Sequence, residues 1–236
     1  MGFFLFILPS MDIDTLYHRF LECSSAGIDS RRVEPGSMFF ALKGEHFNGN
    51  RFAADALEKG ARYAVVDDDQ YAGDSRCILV EDSLEALQQM AAFHRKQLKT
   101  KVFGITGSNG KTTTKELIHR ILSQKYSCVA TPQNYNNHIG VPLTLLQVTP
   151  DHQFAVVEMG ANHIGEIGFL CEIAQPDYGI ITNIGKAHLE GFGSFEGVIR
   201  AKSELYDYVC ANKGVIFYNS DRSLLTKLLG DRKCTT

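Results

Sequence analysis

The chain has 236 residues, and its 24 lysines and arginines against 27 aspartates and glutamates give a net charge of −3. That length suggests one large or two small domains, and a hydrophobic fraction of 44% with 22% charged residues is ordinary for a globular protein. The composition argues against wholesale disorder, a collagen-like repeat and a disulfide-dense miniature fold, and the near-neutral charge argues against a non-specific nucleic-acid binder.

The chain begins with a short apolar run at residues 3–8 (FFLFIL). This run is far shorter than the ~20 apolar residues that span a bilayer, and it lacks the basic region and cleavage site of a signal peptide. We expect residues 1–10 to be an extension that adds little to the fold, or else a short buried strand. No other segment is apolar enough to cross a membrane, so we expect no membrane insertion.

Residues 11–99 are predicted to form a first α/β domain. Turn signals and apolar runs predict strands at 37–42, 61–67 and 77–80, and helical spacing predicts helices at 52–59 and from 83 to about 98. The acidic run Asp67-Asp68-Asp69 is interpreted as a solvated turn rather than a metal site, because nothing around it supplies further ligands.

Residues 100–236 are predicted to form a second domain in which strands and helices alternate. The predicted strands are 101–106, 154–158, 178–182 and 214–218, and the predicted helices are 112–124, 164–174, 195–209 and 220–229. Alternation with crossover helices predicts a mostly parallel, doubly wound α/β sheet. In such sheets ligands bind at the carboxyl ends of the strands.

Six cysteines are widely spaced along the chain, at positions 23, 77, 128, 171, 210 and 234. No two of them form a CxxC pair, so a zinc ribbon or a thioredoxin-like motif is not expected. The spacing predicts reduced, mostly buried thiols in a cytosolic protein.

The most informative segment is 104–114 (GITGSNGKTTT), a glycine-rich turn between a predicted strand and a predicted helix. Glycines there let backbone amides turn toward an anion, and the helix N-terminus adds its own N–H groups. Lys111 can reach a terminal phosphate, and the Thr112 hydroxyl can bind Mg²⁺. Ile105 occupies the first glycine position of the Walker pattern, so the shorter GxxGKT form fits. The candidate ATP-binding residues are Gly107, Ser108, Asn109, Gly110, Lys111, Thr112 and Thr113.

Three further positions are candidates with open alternatives. Glu158 ends an apolar strand, where its carboxylate could bind Mg²⁺, cap a helix or face solvent. His188 follows a predicted strand, and a lone histidine is more often structural than a ligand. Lys202 lies on a predicted helix and, taken alone, is interpreted as a solvated lysine that could pair with Glu204 or Tyr206.

A loop rich in asparagine, with Asn134, Asn136 and Asn137 before Gly140 and Pro142, also has two interpretations. Asparagines favour turns through local hydrogen bonds. The same side chains, beside a phosphate site, suit recognition of a substrate carboxylate or sugar.

Several motifs, in order along most of the chain, resemble the Mur ligases, ATP-dependent amide-forming enzymes of peptidoglycan precursor synthesis. The phosphate loop resembles their ATP loop, and 134–144 (NYNNHIGVPLT) resembles the branch that adds D-alanyl-D-alanine. The other similar segments are 158–166 (EMGANHIGE), 187–193 (AHLEGFG), and the uridine-nucleotide segments 29–31 (DSR) and 35–44 (PGSMFFALKG).

The resemblance implies a UDP-muramoyl-peptide-binding domain at 11–99 and an incomplete ATP-binding domain at 100–236. It implies ATP and two Mg²⁺ ions, with Lys111 as a catalytic group. The implied metal ligands are Thr112, Glu158, His188 and a carbamylated Lys202. The last three of these are also implied catalytic residues. The implied substrate-binding residues are Ser30, Arg31, Lys43, Asn48, Gly49, Asn134, Asn136 and Asn137.

The implied reaction moves the γ-phosphoryl group of ATP to the terminal carboxylate of a UDP-muramoyl tripeptide, and D-alanyl-D-alanine then attacks the acyl phosphate. We expect a cytoplasmic monomer with small-molecule substrates only. Mur ligases continue into a third domain, whereas this chain stops at Thr236. We therefore expect this chain alone to be an incomplete ligase.

Three alternatives remain. The first is the branch of the family that adds the third amino acid, against which the asparagine-rich segment argues. The second is a non-catalytic nucleotide-binding module. A general P-loop NTPase is disfavoured by Ile105 and by the absence of a DExx-type motif at a strand end.

Overall fold

A computed structural model describes residues 12–185, 189–230, 232 and 234–236. Of Leu189 it describes the backbone only. The chain divides into two units between Met90 and Ala91. The predicted domain boundary near Thr100 stays a prediction, as does the interpretation of residues 1–10, which lie outside the described residues.

The first unit is a four-stranded parallel sheet with helices, in the strand order β1-β2-β5-β6, accompanied by the antiparallel hairpin β3–β4. Its elements in chain order are α1 (Ile13–Leu21), β1 (Ala26–Gly27), β2 (Met38–Phe40), β3 (Lys43–Gly44), β4 (Phe47–Asn48), α2 (Ala53–Glu58), β5 (Tyr63–Val66), β6 (Cys77–Leu79) and α3 (Ser83–Gln97). Alternate apolar residues of β2 and β5, such as Phe39 and Ala64, pack with Leu57 of α2 in its core.

Asp67 corrects the expectation of a solvated acidic turn. Its side chain is only 6% exposed, and its carboxylate accepts from Lys43 Nζ at 2.9 Å, Asn50 Nδ2 at 2.7 Å and Ser83 Oγ at 3.0 Å. Burial alone would raise the pKa of Asp67, but hydrogen bonds from these three residues outweigh it and lower that pKa. Asp67 therefore links the hairpin to the start of α3. The acidic run alone gives no sign of this structural role.

The second unit is a five-stranded parallel sheet in the order β11-β10-β7-β9-β8. Its elements in chain order are β7 (Lys101–Thr106), α4 (Lys111–Leu122), β8 (Cys128–Ala130), α5 (Gly140–Leu145), β9 (Phe154–Glu158), α6 (Glu166–Ala174), β10 (Tyr178–Ile181), α7 (Leu189–Phe192), α8 (Phe195–Ala211), β11 (Val215–Phe217) and α9 (Ser223–Leu229). The predicted α/β class with a mostly parallel sheet is confirmed.

Register brings the candidate residues to one edge of this sheet. Ile105 of β7 pairs with Glu158 of β9, and Thr106 pairs with Ile181 of β10. Because parallel strands end on the same side, the phosphate loop, the carboxylate of Glu158 and the segment after β10 lie together.

Helix α5 corrects the interpretation of its residues as loop. Pro142 sits in the first turn of this helix, where its missing N–H has no intrahelical partner to lose. Asn137 Oδ1 accepts from Gly140 N at 2.9 Å at the start of the helix. All six residues of α5 are buried, so packing rather than sequence pattern stabilises it.

The cysteine prediction is wrong for one pair. Cys210, at the end of α8, is joined by a disulfide to Cys234, with Cα atoms 4.8 Å apart. Their proximity follows from Thr235, whose carbonyl accepts from Ile216 N of β11 at 2.9 Å. Among the other four cysteines only Cys171 is fully buried. The joined pair therefore does not support the expectation of reduced thiols in a cytosolic protein.

In the described part of the chain, no helix is both long and apolar enough to cross a bilayer.

Arg95 holds the carboxyl end of α6, and its loss has a predictable cost. Its buried guanidinium donates to Ala174 O and Gln175 O, both at 3.1 Å, and to Asp177 Oδ2 at 2.9 Å. We expect Arg95→Met to lower the free energy of unfolding by about 2 kcal/mol, because buried acceptors lose their donor. Lys101, which is half-exposed and pairs with Asp177 at 2.6 Å, is the matched control.

Urea denaturation measures both variants. Lys101→Met should cost less than about 1 kcal/mol, as for exposed ion pairs. Equal losses for Arg95→Met and Lys101→Met would contradict the assignment.

Candidate active site

The phosphate loop joins β7 to α4 and depends on two glycines. Gly107 has a φ of +149° and Gly110 a φ of +76°, values that side chains rarely adopt. A Cβ on Gly107 would also collide with the Thr182 hydroxyl. Both positions therefore need glycine for their backbone conformation. Gly107 also needs it because Thr182, just after β10, lies so close.

The loop is held from outside by the segment that follows β10. Asn109 N donates to Asn183 Oδ1 at 2.9 Å, and Ser108 N donates to Asn183 O at 3.0 Å. The Thr182 hydroxyl donates to Asn109 O at 2.6 Å, and Gly185 N donates to Ser108 Oγ at 2.9 Å. These four bonds fix the curvature of the loop independently of any ligand.

Lys111 is half-buried at the first residue of α4. Its Nζ donates to Gly107 O at 2.8 Å, which places the ammonium over the loop. Burial lowers the pKa of Lys111, and the charge of Glu158 opposes that shift. Thr112 and Thr113 are exposed in the same helical turn. The N-terminus of α4 and the Lys111 ammonium thus lie together at the loop, which suits an anion such as a phosphate.

Glu158 ends β9 and is 1% exposed. Its Oε1 accepts from Asn136 Nδ2 at 2.8 Å, whereas Oε2 is buried without a hydrogen-bond partner among the described residues. A buried carboxylate oxygen without a partner is costly unless a cation binds it. This donor therefore fits a hard cation such as Mg²⁺, which takes one or two carboxylates and completes its shell with water and phosphate oxygens.

Thr112 and Lys202 are the other implied metal ligands that the structure describes. The described residues hold no group of three or more His, Cys, Asp or Glu that could bind a metal ion. His188 lies outside the described residues. Thr112 lies at the start of α4, the helix that begins at the phosphate loop.

Lys202 corrects the interpretation of a solvated helix lysine. Its side chain on α8 is 3% exposed, and its Nζ lies 5.4 Å from the centroid of the Phe192 ring. Burial lowers the pKa of Lys202 to about 8, and the positive charge of Lys111 contributes. Glu204, expected as a possible partner, instead accepts from Gly165 N at 2.7 Å.

A cavity of ≈ 400 Å³ within the second unit brings several predicted residues together. Its volume lies in the range of small-molecule sites. The predicted residues in its wall are Gly107, Ser108, Lys111, Asn136, Asn137 and Lys202. The predicted residues of this unit that do not line it are Asn109, Gly110, Thr112, Thr113, Asn134 and Glu158. Glu158 nevertheless adjoins the cavity through its hydrogen bond to Asn136.

Glu166 is a wall residue to which sequence reasoning gave no role. Its Oε2 accepts from Asn162 N at 2.7 Å and His163 N at 3.2 Å, and its Oε1 lies 3.0 Å from His163 Nδ1. Burial alone would raise the pKa of Glu166, but these contacts outweigh it and lower that pKa. The only indication of a role for Glu166 in the sequence is its position in the family-like segment 158–166 (EMGANHIGE).

Arg31 is a candidate uridine-nucleotide residue in the first unit. Its Nε donates to Asp29 Oδ1 at 2.8 Å, and this contact lowers the pKa of Asp29 to about 2. The Arg31 guanidinium is largely exposed. The neighbouring Ser30 contributes its carbonyl to Lys59 Nζ at 2.9 Å.

The other three candidates shape the β3–β4 hairpin. Lys43 pairs with Asp67, and Asn48 Oδ1 accepts from Asn50 N at 3.0 Å. A Cβ on Gly49 would collide with the Leu42 carbonyl. Each of the three has a structural role, and their part in nucleotide binding stays a prediction.

A parallel sheet whose carboxyl edge carries a glycine-rich phosphate loop and a buried acidic residue is typical of P-loop nucleotide-binding domains. Residues 105–236 match the Mur ligase middle domain, and residues 22–95 match the Mur ligase family, catalytic domain. The chain belongs to the Mur ligase family, which confirms the resemblance of its motifs.

Several similar proteins are ligases of one branch of this family. The UDP-N-acetylmuramoyl-tripeptide–D-alanyl-D-alanine ligase of Bacillus subtilis is 44% identical over 200 residues, which cover 84% of this chain and 43% of that protein. A crystal structure of MurF from Acinetobacter baumannii aligns with a TM-score of 0.79 and 36% identity, covering 94% of this chain and 52% of that one.

A crystal structure of the MurF ligase from Thermotoga maritima in complex with ADP aligns with a TM-score of 0.81 and 33% identity. It covers 92% of this chain and 50% of that one. The chain thus spans about half the length of the relatives it matches.

Proposed function

We propose that this chain provides the nucleotide-binding parts of an ATP-dependent ligase of peptidoglycan precursor synthesis. That ligase joins D-alanyl-D-alanine to a UDP-N-acetylmuramoyl tripeptide. The observation that carries this proposal is the meeting of Lys111, the phosphate loop and Glu158, whose Oε2 has no hydrogen-bond partner in the described part of the chain, at one edge of the sheet. Similarity to UDP-N-acetylmuramoyl-tripeptide–D-alanyl-D-alanine ligases favours this branch over the one that adds the third amino acid.

The proposed chemistry has two steps. A carboxylate oxygen of the tripeptide attacks the γ-phosphorus of ATP, the bond to the β-phosphate oxygen breaks, and ADP leaves. The amine nitrogen of D-alanyl-D-alanine then attacks the acyl carbon, the bond to the phosphate oxygen breaks, and the amine proton passes to solvent. Positioning and charge neutralisation supply most of the catalysis in such transfers.

Residues of the second unit have distinct roles in this scheme. Lys111 and the N-terminus of α4 hold the phosphates, and Glu158 with the Thr112 hydroxyl would hold Mg²⁺. His188 and Lys202 are proposed as ligands of a second ion. When bound, Mg²⁺ neutralises charge on the phosphoryl oxygens.

Lys202 is proposed to act as a carbamate. Its lowered pKa leaves a larger share of neutral amine near neutral pH. The neutral nitrogen attacks CO₂, forms the N–C bond and releases a proton, which gives a carboxylate-like ligand. Burial of the side chain supports this role, because a solvated lysine would have an ordinary pKa and stay protonated.

The peptide substrate is assigned to two groups of residues. Asn134, Asn136 and Asn137 are proposed to bind its peptide or sugar part. Residues 11–99 are proposed to bind its uridine nucleotide, through Ser30, Arg31, Lys43, Asn48 and Gly49, and residues 100–236 to bind ATP. We further propose that the protein works in the cytoplasm as a monomer on small-molecule substrates.

The test is calorimetric titration of this chain with ATP in the presence and absence of Mg²⁺. Glu158→Gln keeps the acceptor for Asn136 and removes only the charge, so we expect it to lower the Mg²⁺-dependent gain in ATP affinity about tenfold. Glu172→Gln, on the exposed side of α6, is the control and should bind like the unaltered chain. An unchanged Mg²⁺ dependence in Glu158→Gln would remove Glu158 from the site.

A further inference from the structure

Lys115 is a fully buried lysine on α4, one turn after Lys111. It is 0% exposed, and its Nζ donates to Thr131 O at 2.7 Å and to Gln133 O at 3.3 Å. Its Nζ also lies 3.1 Å from Oε1 of the half-exposed Glu116. The buried ammonium therefore donates mainly to two peptide carbonyls in the segment that follows β8.

That segment, residues 131–136, holds Glu158 from two directions. Glu158 N donates to Thr131 Oγ1 at 2.9 Å, and Asn136 Nδ2 donates to Glu158 Oε1 at 2.8 Å. Gly160 N, just beyond Glu158, donates to Asn136 O at 2.7 Å. Between these contacts Gln133 has a φ of +48°, a strained conformation that the surrounding bonds must maintain.

We infer that Lys115 is a positioning residue that couples the phosphate-loop helix to Glu158 by holding the carbonyls of Thr131 and Gln133. This inference rests on the proposed function, because it concerns the cation that Glu158 would bind. Lys111 and Lys115 lie four residues apart on one face of α4, so one helix carries both the phosphate contact and the support of the carboxylate.

The need for a lysine follows from the two acceptors. An apolar side chain would fill the same space but leave the carbonyl of the buried Thr131, and that of Gln133, without this donor, which is destabilising. Burying an ammonium is itself costly unless its hydrogen bonds are made. A lysine that only stabilised α4 would not have to reach a segment 16 residues away.

The first experiment is Lys115→Met in the whole chain, titrated with ATP with and without Mg²⁺. The Mg²⁺-dependent gain in affinity should fall about tenfold, while affinity for ATP without Mg²⁺ stays unchanged because Lys111 and the loop are intact. Lys115→Gln, which keeps an N–H donor, should recover part of the gain. Glu116→Gln, which alters only the exposed ion pair, should keep all of it.

A double-mutant cycle separates positioning from general stabilisation. In a Glu158→Gln background, Lys115→Met should have no further effect on the Mg²⁺-dependent gain, because the group it positions has lost its charge. Equal factors of loss in both backgrounds would mean that Lys115 acts independently of Glu158, which overturns the inference.

Hydrogen exchange without nucleotide tests the inference even if the proposed function fails. Lys115→Met should accelerate exchange of the Glu158 and Gly160 amides, relative to Lys125→Met at an exposed position beyond the end of α4. If that variant does not fold, Lys115→Gln serves for the same comparison. A chain that binds no ATP would refute the proposed function alone, whereas unchanged exchange at both amides would refute the role of Lys115.

Discussion

Lys111→Met is expected to lower the affinity for ATP by about 30- to 150-fold, which corresponds to about 2–3 kcal/mol for hydrogen bonds to a charged partner. The Nζ of Lys111 lies 2.8 Å from Gly107 O, over the loop that would receive the phosphates. Methionine keeps the unbranched shape and removes the charge. Titration calorimetry with ATP measures the change.

Lys125→Met is the matched control for Lys111→Met. Lys125 is exposed beyond the end of α4, with its Nζ 5.6 Å from the centroid of the Tyr126 ring. Its replacement should leave ATP affinity within about twofold, as expected for an exposed charge far from the loop. Equal affinity losses in Lys111→Met and Lys125→Met would mean that general positive charge, not the loop lysine, attracts the nucleotide.

Lys202→Met is expected to raise the free energy of unfolding at pH 7 by up to about 3 kcal/mol. The pKa of Lys202 is lowered from 10.5 to about 8 in the folded chain. Between pH 8 and pH 10.5 the Lys202 amine is protonated more in the unfolded state than in the folded state. The free energy of unfolding of the unaltered chain therefore rises with pH over this range. Below pH 8 the folded chain carries the full cost of the buried ammonium, which methionine removes.

Urea denaturation at pH 7 and pH 10, in CO₂-free buffer, measures this pH dependence. CO₂ is excluded because a carbamate would replace the ammonium by an anion. The difference in stability between Lys202→Met and the unaltered chain should shrink as pH rises. Lys227→Met, at an exposed position of α9, should show no such trend. A pH-independent difference for Lys202→Met would show that the ammonium is not desolvated.

Sequence reasoning predicted β7 and β9 with the bounds that the structure has, and β10 one residue longer than it is. β7 and β9 are apolar runs that stop at a glycine-rich turn or at a single carboxylate, so their limits are marked locally. β8, which has three residues, was not predicted. The fold class was predictable because alternation of strands and helices extends over the whole second unit.

The burial of single polar residues was not predictable in the same way. Lys115, Lys202 and Asp67 have polar neighbours in sequence, and nothing local separates them from solvated residues. Their burial depends on partners far along the chain, such as the Thr131 carbonyl for Lys115 and the Lys43 ammonium for Asp67. The disulfide between Cys210 and Cys234 likewise depends on residues 24 positions apart being brought together by β11.

The bonds from Asn183, Thr182 and Gly185 to the phosphate loop have a consequence for the thermodynamics of binding. A loop already held in a bent conformation loses less conformational entropy when an anion enters, so more of the contact energy remains as affinity. The residues that determine this affinity then lie in two segments, the phosphate loop and the segment after β10. These segments are far apart along the chain, with 77 positions between Ser108 and Gly185. Substitutions after β10 would weaken nucleotide binding entropically, without touching the nucleotide.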